Sequence, residues 1–159
     1  MDALLELLQK EGRLSTAQMA ERLGKSDAEI EAMMSELSGK GAILGFHAVI
    51  DPEQLDQSSV TALIEVKLTP ERDGGFDRLA KRIAKFDQVR SCYLMSGGYD
   101  LAVIVEGDDL REVARFVSEK LSTLDGVLST ATHFQLKVYK QSGFLASETH
   151  EDERLPVTP

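Results

Sequence analysis

Residues 89–105 read VRSCYLMSGGYDLAVIV, in which two apolar runs flank a short segment that contains two glycines. The runs over 89–95 and 101–105 predict two neighbouring strands, and residues 96–100 predict the loop between them. The run over 101–105 is apolar without a break, so both faces of this strand need cover. Such a pattern is typical of a strand in the middle of a sheet.

The segments on either side of these two strands complete a regular alternation. Residues 60–68 predict a strand, 74–86 and 110–124 have the apolar spacing of amphipathic helices, and 127–138 predict a last strand. The order βαββαβ is the ferredoxin-like arrangement, in which helices cover one face of the sheet. We therefore predict an α+β fold over residues 59–140 whose open sheet face is covered by a second copy, as a homodimer.

Residues 1–45 predict a separate domain of three short helices. Ser15 and Ser26 each stand three residues before a Gln or Glu, which indicates capping boxes at the second and third helices. A small residue, a glycine and two apolar residues have the spacing of a helix-turn-helix, at Ala20, Gly24, Ile30 and Met33. The spacing alone also fits a three-helix bundle that has no role with nucleic acid.

The charge of this helical domain opposes binding to DNA. Residues 1–45 contain five bases and eight acids, and the outward face of the third helix has no Arg, Lys, Asn or Gln. A helix that reads DNA needs donors for base edges and cations for phosphates. The residues left to contact phosphates are Lys25, Ser26, Ser35 and Lys40.

Two further segments complete the chain. Residues 46–58 predict a linking strand and a polar linker, with the strand beginning at residue 43 and broken at Asp51 and Pro52. Residues 147–159 contain four acids, two prolines and a single leucine, so they cannot bury enough surface to fold. We predict a disordered acidic tail there.

The composition excludes several classes of protein. The 159 residues are 42% hydrophobic and 28% charged, with a net charge of −9, which argues against binding nucleic acid by bulk charge. No apolar run approaches the ~18 residues of a membrane span, and the acidic N-terminus is not a signal peptide. The lone Cys92 excludes a disulfide framework. We expect a cytoplasmic protein with no cofactor, no metal and no membrane partner.

The order and distances of these pieces resemble the Lrp/AsnC, or feast/famine, transcriptional regulators of bacteria and archaea. The likeness spans about residues 4–140 and includes the segments GRLS at 12–15, KGAILGF at 40–46, DP at 51–52 and SGGYD at 96–100. The resemblance implies a winged-helix-like DNA-binding domain joined to a ferredoxin-like effector domain. It also implies dimers that pair through their sheets, higher oligomers, and small effectors, usually amino acids, bound between dimers.

The resemblance places the effector site on the loop and the last strand, at Gly97, Gly98, Tyr99, Asp100, Ser129, Thr130 and Thr132. Glycine lets backbone N–H groups approach a ligand carboxylate, and the Asp100 carboxylate suits an α-ammonium group. The two glycines equally suit a hairpin turn, and Asp100 equally suits a cap for local amides. Both interpretations stay open.

Two alternative functions remain. Members of the family usually carry Arg or Lys on the third helix, so its acids here are compatible with an effector-binding co-regulator that has weak or lost DNA binding. A distant branch with the same build resembles sirohaem decarboxylases, which need a His for proton transfer. Only His133 is a candidate for that role, and its companions on the same strand face, Ala131 and Gln135, are not acid–base groups, so we expect no enzyme activity.

Overall fold

The structure, a computed structural model, describes residues 3–55, 59–70 and 75–146. The chain divides into two units, Met1–Ala48 and Val49–Pro159. The predicted acidic tail over 147–159 and part of the predicted linker, 56–58, lie outside the described residues. None of the helices in the described ranges combines the length and apolarity that crossing a membrane requires.

The first unit contains the three predicted helices. They are α1 at Ala3–Lys10, α2 at Thr16–Leu23 and α3 at Asp27–Gly39. Both capping boxes are confirmed, since Ser15 and Ser26 cap α2 and α3 through their hydroxyl and backbone groups. Gly24 turns the chain between α2 and α3 with φ +62°, a left-handed conformation that glycine adopts without strain.

The core of the first unit is small and lies where the three helices meet. It consists of Leu4, Met19, Ala20 and Ile30, which are all buried. Each fully buried aliphatic side chain contributes about 1.5–3 kcal/mol relative to an exposed one. The helix-turn-helix spacing predicted Ala20 and Ile30 as contacts between α2 and α3, and both are buried, whereas Met33 is only partly buried.

The predicted strand over residues 43–50 is wrong. This segment has no regular secondary structure, and no strand among the described residues pairs with it. Leu44 is 97% exposed and Phe46 is 57% exposed. A strand needs a partner for its backbone N–H and C=O groups, and the described part of this chain provides none here.

The second unit contains the predicted ferredoxin-like order, which the structure confirms. After a short 3₁₀ helix at Pro52–Gln54 come β1 (Val60–Leu68), α4 (Asp77–Ile83), β2 (Val89–Leu94), β3 (Leu101–Gly107), α5 (Leu110–Arg115), a π-helix (Phe116–Leu121) and β4 (Val127–Phe134). The sheet has the order β2-β3-β1-β4, and all neighbours are antiparallel. A two-stranded hairpin follows, with β5 at Lys140–Gln141 and β6 at Phe144–Leu145.

The helices cover one face of this sheet and form the larger core with it. The inward residues of β1 and β3 alternate strictly, at Ala62, Ile64, Val66, Leu101, Val103 and Val105, and each is fully buried. The helices contribute Leu79, Ile83, Val113, Phe116 and Leu121 to the same cluster. The register pairs Val66 with Leu101 on one side and with Thr130 on the other.

Several predicted elements differ from the structure in their extent. α4 spans Asp77–Ile83, whereas the sequence predicted a helix over 74–86, and β3 continues to Gly107 rather than ending at residue 105. β4 ends at Phe134, opposite Ala62, rather than at residue 138, and Gln135 N–H still donates to Thr61 O at 2.9 Å. Because β1 begins at Val60, which lies opposite residue 136 by register, it cannot pair as far as residue 138. The helix predicted over 110–124 changes from an α-helix to a π-helix at Phe116. Its i→i+5 bonds, such as Ser122 N–H to Val117 O at 2.8 Å, let Phe116 and Leu121 both point into the core.

Candidate functional site

The N-terminus of α3 is occupied by the chain's own carboxylate. Ser26 Oγ accepts from Glu29 N–H at 3.3 Å, while Ser26 N–H and Oγ–H both donate to Glu29 Oε2 at 2.8 Å. The backbone N–H bond and then the hydroxyl bond lower the pKa of Glu29, because both stabilise its charged form. A helix N-terminus is a favourable place for a phosphate, and here Glu29 already lies at that place.

The bases of the first unit are partly neutralised by neighbouring acids. Lys40 pairs with Glu36 one turn before it, and Arg22 pairs with Glu11. The hydrogen bond and charge of Glu11 raise the pKa of Arg22 above its ordinary value. These pairs are exposed, so each contributes little to stability, but each places an acid beside a base that a phosphate would otherwise approach.

The four residues predicted to contact phosphates do not form one cluster. Lys25 and Ser26 lie together before α3, whereas Lys40 lies after it, about 20 Å away at 1.5 Å per residue. Ser35 is exposed between them. Ser26 and Lys40 have the intramolecular partners described above, and Lys25 and Ser35 present exposed side chains.

The loop at 96–100 is held to the sheet by Asp100. The backbone N–H of Asp100 donates to Val66 O at 3.0 Å, and the Asp100 carbonyl accepts from Met95 N–H at 2.8 Å. Its carboxylate oxygen Oδ2 accepts from Leu68 N–H at 2.7 Å. Asp100 therefore extends the β1–β3 pairing beyond the last ladder pair, with a side-chain oxygen in place of a backbone carbonyl. The sequence contains no signal for the partner Leu68, which is 32 residues away.

The glycines of the loop leave its backbone accessible. Gly97 has φ +133°, a conformation that a residue with a Cβ rarely adopts. No heavy atom lies within 4 Å of the position that a Cβ would take at Gly97 or Gly98. Both residues are exposed and Tyr99 is half-buried. A small ligand can therefore approach the N–H groups of this loop closely.

The three predicted hydroxyls lie on two different faces of β4. Thr130 and Thr132 pair with the fully buried Val66 and Ile64, so they share the face that the helices cover. Thr130 Oγ1 is 3.2 Å from Ser122 Oγ. Ser129 pairs with Lys67, on the open face and next to the strand end that Asp100 caps. Of the three hydroxyls, Ser129 is the one on that face, and β1 lies between it and the strand that follows the loop.

Two further side chains of the second unit with possible reactivity, His133 and Cys92, lie outside the loop in sequence. His133 Nε2 lies 3.4 Å from Glu65 Oε1 on the open face of the sheet. Burial raises the pKa of the Cys92 thiol, whose Sγ lies 3.9 Å from Ala80 O. Within the described residues, no three His, Cys, Asp or Glu side chains are grouped so as to hold a metal ion.

The two units together define a class of protein. A winged helix-turn-helix DNA-binding domain matches residues 3–43, and it is followed by an α+β ligand-binding domain, as in transcriptional regulators that respond to a small molecule. The family model of the Lrp/AsnC ligand binding domain matches residues 61–145. The chain belongs to the Lrp/AsnC family, which confirms the resemblance inferred from the sequence.

Similar proteins extend over almost the whole chain. An uncharacterised helix-turn-helix-type transcriptional regulator of Bacillus subtilis is 43% identical over 98% of this chain and 95% of its own length. The proline dehydrogenase transcriptional activator of Rhizobium radiobacter is 31% identical over 88% of this chain and 89% of its own length. A transcriptional regulator of Neisseria meningitidis, solved in complex with L-methionine, is 25% identical with a TM-score of 0.67, over 87% of this chain and 88% of its own.

Proposed function

We propose that this Lrp/AsnC-type regulator responds to an amino acid bound at the loop over residues 96–100. The observation that carries the proposal is the accessible backbone of Gly97 and Gly98 beside the Asp100 carboxylate. Support comes from the Neisseria meningitidis regulator, whose structure contains L-methionine.

The loop has the groups that an amino acid requires. Backbone N–H groups at Gly97 and Gly98 suit the α-carboxylate, since no side chain obstructs them. The Asp100 carboxylate suits the α-ammonium group. It has about four lone-pair sites, so a bond from Leu68 N–H to Oδ2 leaves capacity for a ligand. Ser129 is the predicted hydroxyl best placed to add a hydrogen bond.

A thermal-shift series with single amino acids tests this site. An amino acid that binds the folded chain raises its melting temperature, by an amount that increases with concentration. We expect one or a few amino acids to stabilise the chain, and Gly98→Val to remove that effect because its side chain would obstruct the N–H groups. A series in which no amino acid stabilises the chain would refute the proposal.

A second copy of the chain is the proposed cover for the open face of the sheet. By register, Tyr93 pairs with Ala102 on this face, and Leu63 and Ile104 lie on the same side. Tyr93 is 56% exposed although it stands within a strand. We expect a dimer in sedimentation at micromolar concentration, and a monomer for Tyr93→Glu. The matched control is Leu110→Glu, equally exposed but at the start of α5, which should leave the dimer intact.

The alternative function is an effector-binding co-regulator with weak DNA binding. The Glu29 carboxylate at the N-terminus of α3 and the Lys40–Glu36 pair favour this alternative. Selection of genomic DNA fragments at about 50 mM and about 200 mM salt separates the two functions. Fragments retained at the higher salt would indicate sequence readout and a DNA-binding regulator. No enrichment at either salt would leave the co-regulator.

A further inference from the structure

The positive charge of this acidic chain is concentrated on the helices of the second unit. Residues 77–86 and 110–124 contain seven bases and three acids, although the whole chain has a net charge of −9. Residues 77–86 alone contribute four bases, Arg78, Lys81, Arg82 and Lys85. The helix that an Lrp/AsnC regulator presents to DNA, α3, is by contrast acidic.

These bases point away from the core. Leu79 and Ile83 are the buried residues of α4, and Val113 is the buried residue of α5. The helical period therefore turns the bases between them outward, and all seven are exposed. Lys81 Nζ lies 3.7 Å from Asp77 Oδ2 with both side chains more than 70% exposed, so this pair is weak and easily exchanged for another anion.

The two helices form one continuous surface. The Phe86 ring, just after α4, meets the Phe116 ring edge-on at a centroid distance of 5.5 Å. Lys120 Nζ lies 5.9 Å from the centroid of the same Phe86 ring. The bases of both segments therefore belong to a single outer layer. One of its acids is turned aside, because Glu112 Oε2 accepts from Asp108 N–H at 2.6 Å.

We propose that this outer layer, the basic helix face of residues 77–86 and 110–121, binds the sugar–phosphate backbone of duplex DNA. Duplex DNA presents one negative charge for about every 1.7 Å of its axis, which suits a surface of exposed Lys and Arg. The same chain contains a winged helix-turn-helix domain, so a duplex bound by that domain is held by the same protein that carries this face. The inference rests on the proposed DNA-binding function. It supplies phosphate contacts that the acidic α3 lacks.

The salt dependence of DNA binding tests this role in the full chain. Lys81→Gln/Lys85→Gln removes two charges from the basic helix face. The matched control, Lys137→Gln/Lys140→Gln, removes two exposed charges from the segment after β4. Log affinity falls linearly with log salt concentration, and each lost phosphate contact makes this decline shallower by about 0.9. We expect the first variant to bind a duplex more weakly, with the slope reduced by about 1.8, and the control to match the wild type.

The outcomes separate this inference from the proposed function. If the wild type binds DNA and the slope of Lys81→Gln/Lys85→Gln equals that of the control, the basic helix face does not bind DNA. The proposed function as a regulator then still stands. A wild type that binds no duplex at any salt refutes both. The wild type and this variant are also sedimented with phosphatidylserine vesicles. If only the wild type pellets with the vesicles, and the salt slope of DNA binding is the same for both, the face binds membranes and the inference is overturned. Thermal melts confirm that all three proteins are folded, since exposed substitutions change stability little.

Discussion

The Asp100 carboxylate accepts a hydrogen bond from Leu68 N–H and carries the charge proposed to hold the α-ammonium group of a ligand. Asp100→Ala removes both, whereas Asp100→Asn removes only the charge. In the structure, Asp100 Oδ2 accepts from Leu68 N–H at 2.7 Å, and Leu68 is only 3% exposed. Alanine leaves that N–H without its acceptor at a buried strand end. Asparagine keeps an acceptor oxygen at the same position and removes only the negative charge.

The expected magnitudes differ between the two variants. A buried donor left without its partner costs about 1–3 kcal/mol. For a unit of roughly 100 residues, each kcal/mol lowers the melting temperature by roughly 4 °C. Asp100→Ala should therefore melt about 4–12 °C below the wild type. Asp100→Asn should lose less than about 1.5 kcal/mol, because a neutral hydrogen bond replaces a charge-assisted one.

Thermal melts with and without a stabilising amino acid measure both functions at once. At 100 times its dissociation constant, a ligand stabilises the wild type by about 2.7 kcal/mol. Both variants should lose this ligand-dependent part, since neither has a charge for the α-ammonium group. If Asp100→Ala has the same melting temperature as the wild type, the bond from Leu68 N–H does not stabilise the fold. An Asp100→Asn protein that keeps the full ligand effect would refute the role of the charge.

Three further predictions concern stability and reactivity. The pKa of Glu29 is lowered in the folded state, so its stabilisation is present above the ordinary pKa of 4.5 and lost as the pH falls through the folded value. Circular-dichroism melts should therefore show Glu29→Gln less stable than the wild type at pH 7, with a difference that shrinks as the pH falls below 4.5; a constant difference would contradict this. Burial raises the pKa of Cys92, so iodoacetamide should label the native chain at pH 8 more slowly than the denatured chain, and equal rates would exclude a protonated, shielded thiol. Gly126→Ala should cost about 1–2 kcal/mol in denaturant titrations, because φ is +95° and the added Cβ would lie 3.2 Å from Leu79 Cδ2. The control Gly98→Ala has open space and a negative φ, and a similar loss there would refute the strain argument.

Local features of this protein were predictable because their causes are local. Each capping box joins two residues three positions apart, and the structure confirms both. The order βαββαβ follows from apolar periods of 2 and 3.6 residues, which depend only on neighbours along the chain. The strand predicted over 43–50 was wrong because an apolar stretch indicates strand propensity, whereas a strand also needs a partner.

The candidate site shows where sequence reasoning stops. The types of residue at the loop were evident, and Gly97 does adopt a conformation that favours glycine. The hydrogen-bond partner of Asp100 was not evident from the sequence, because Leu68 comes close to Asp100 only when β1 pairs with β3. The pairing of β1 with β4 likewise decides that Ser129 lies on the open face and Thr130 on the face that the helices cover.

The local amino-acid pattern is sufficient to predict the main helices, the four strands of the sheet, their order and the charge of each helix. Those properties arise from the period of apolar residues, from caps and from side-chain identity, and all of these act over a few residues. The hydrogen bond from Leu68 N–H to Asp100 and the packing of Phe86 between the two basic segments depend instead on how the chain folds. These contacts join residues 30 or more positions apart, and their proximity depends on strand register and helix packing rather than on the local chain.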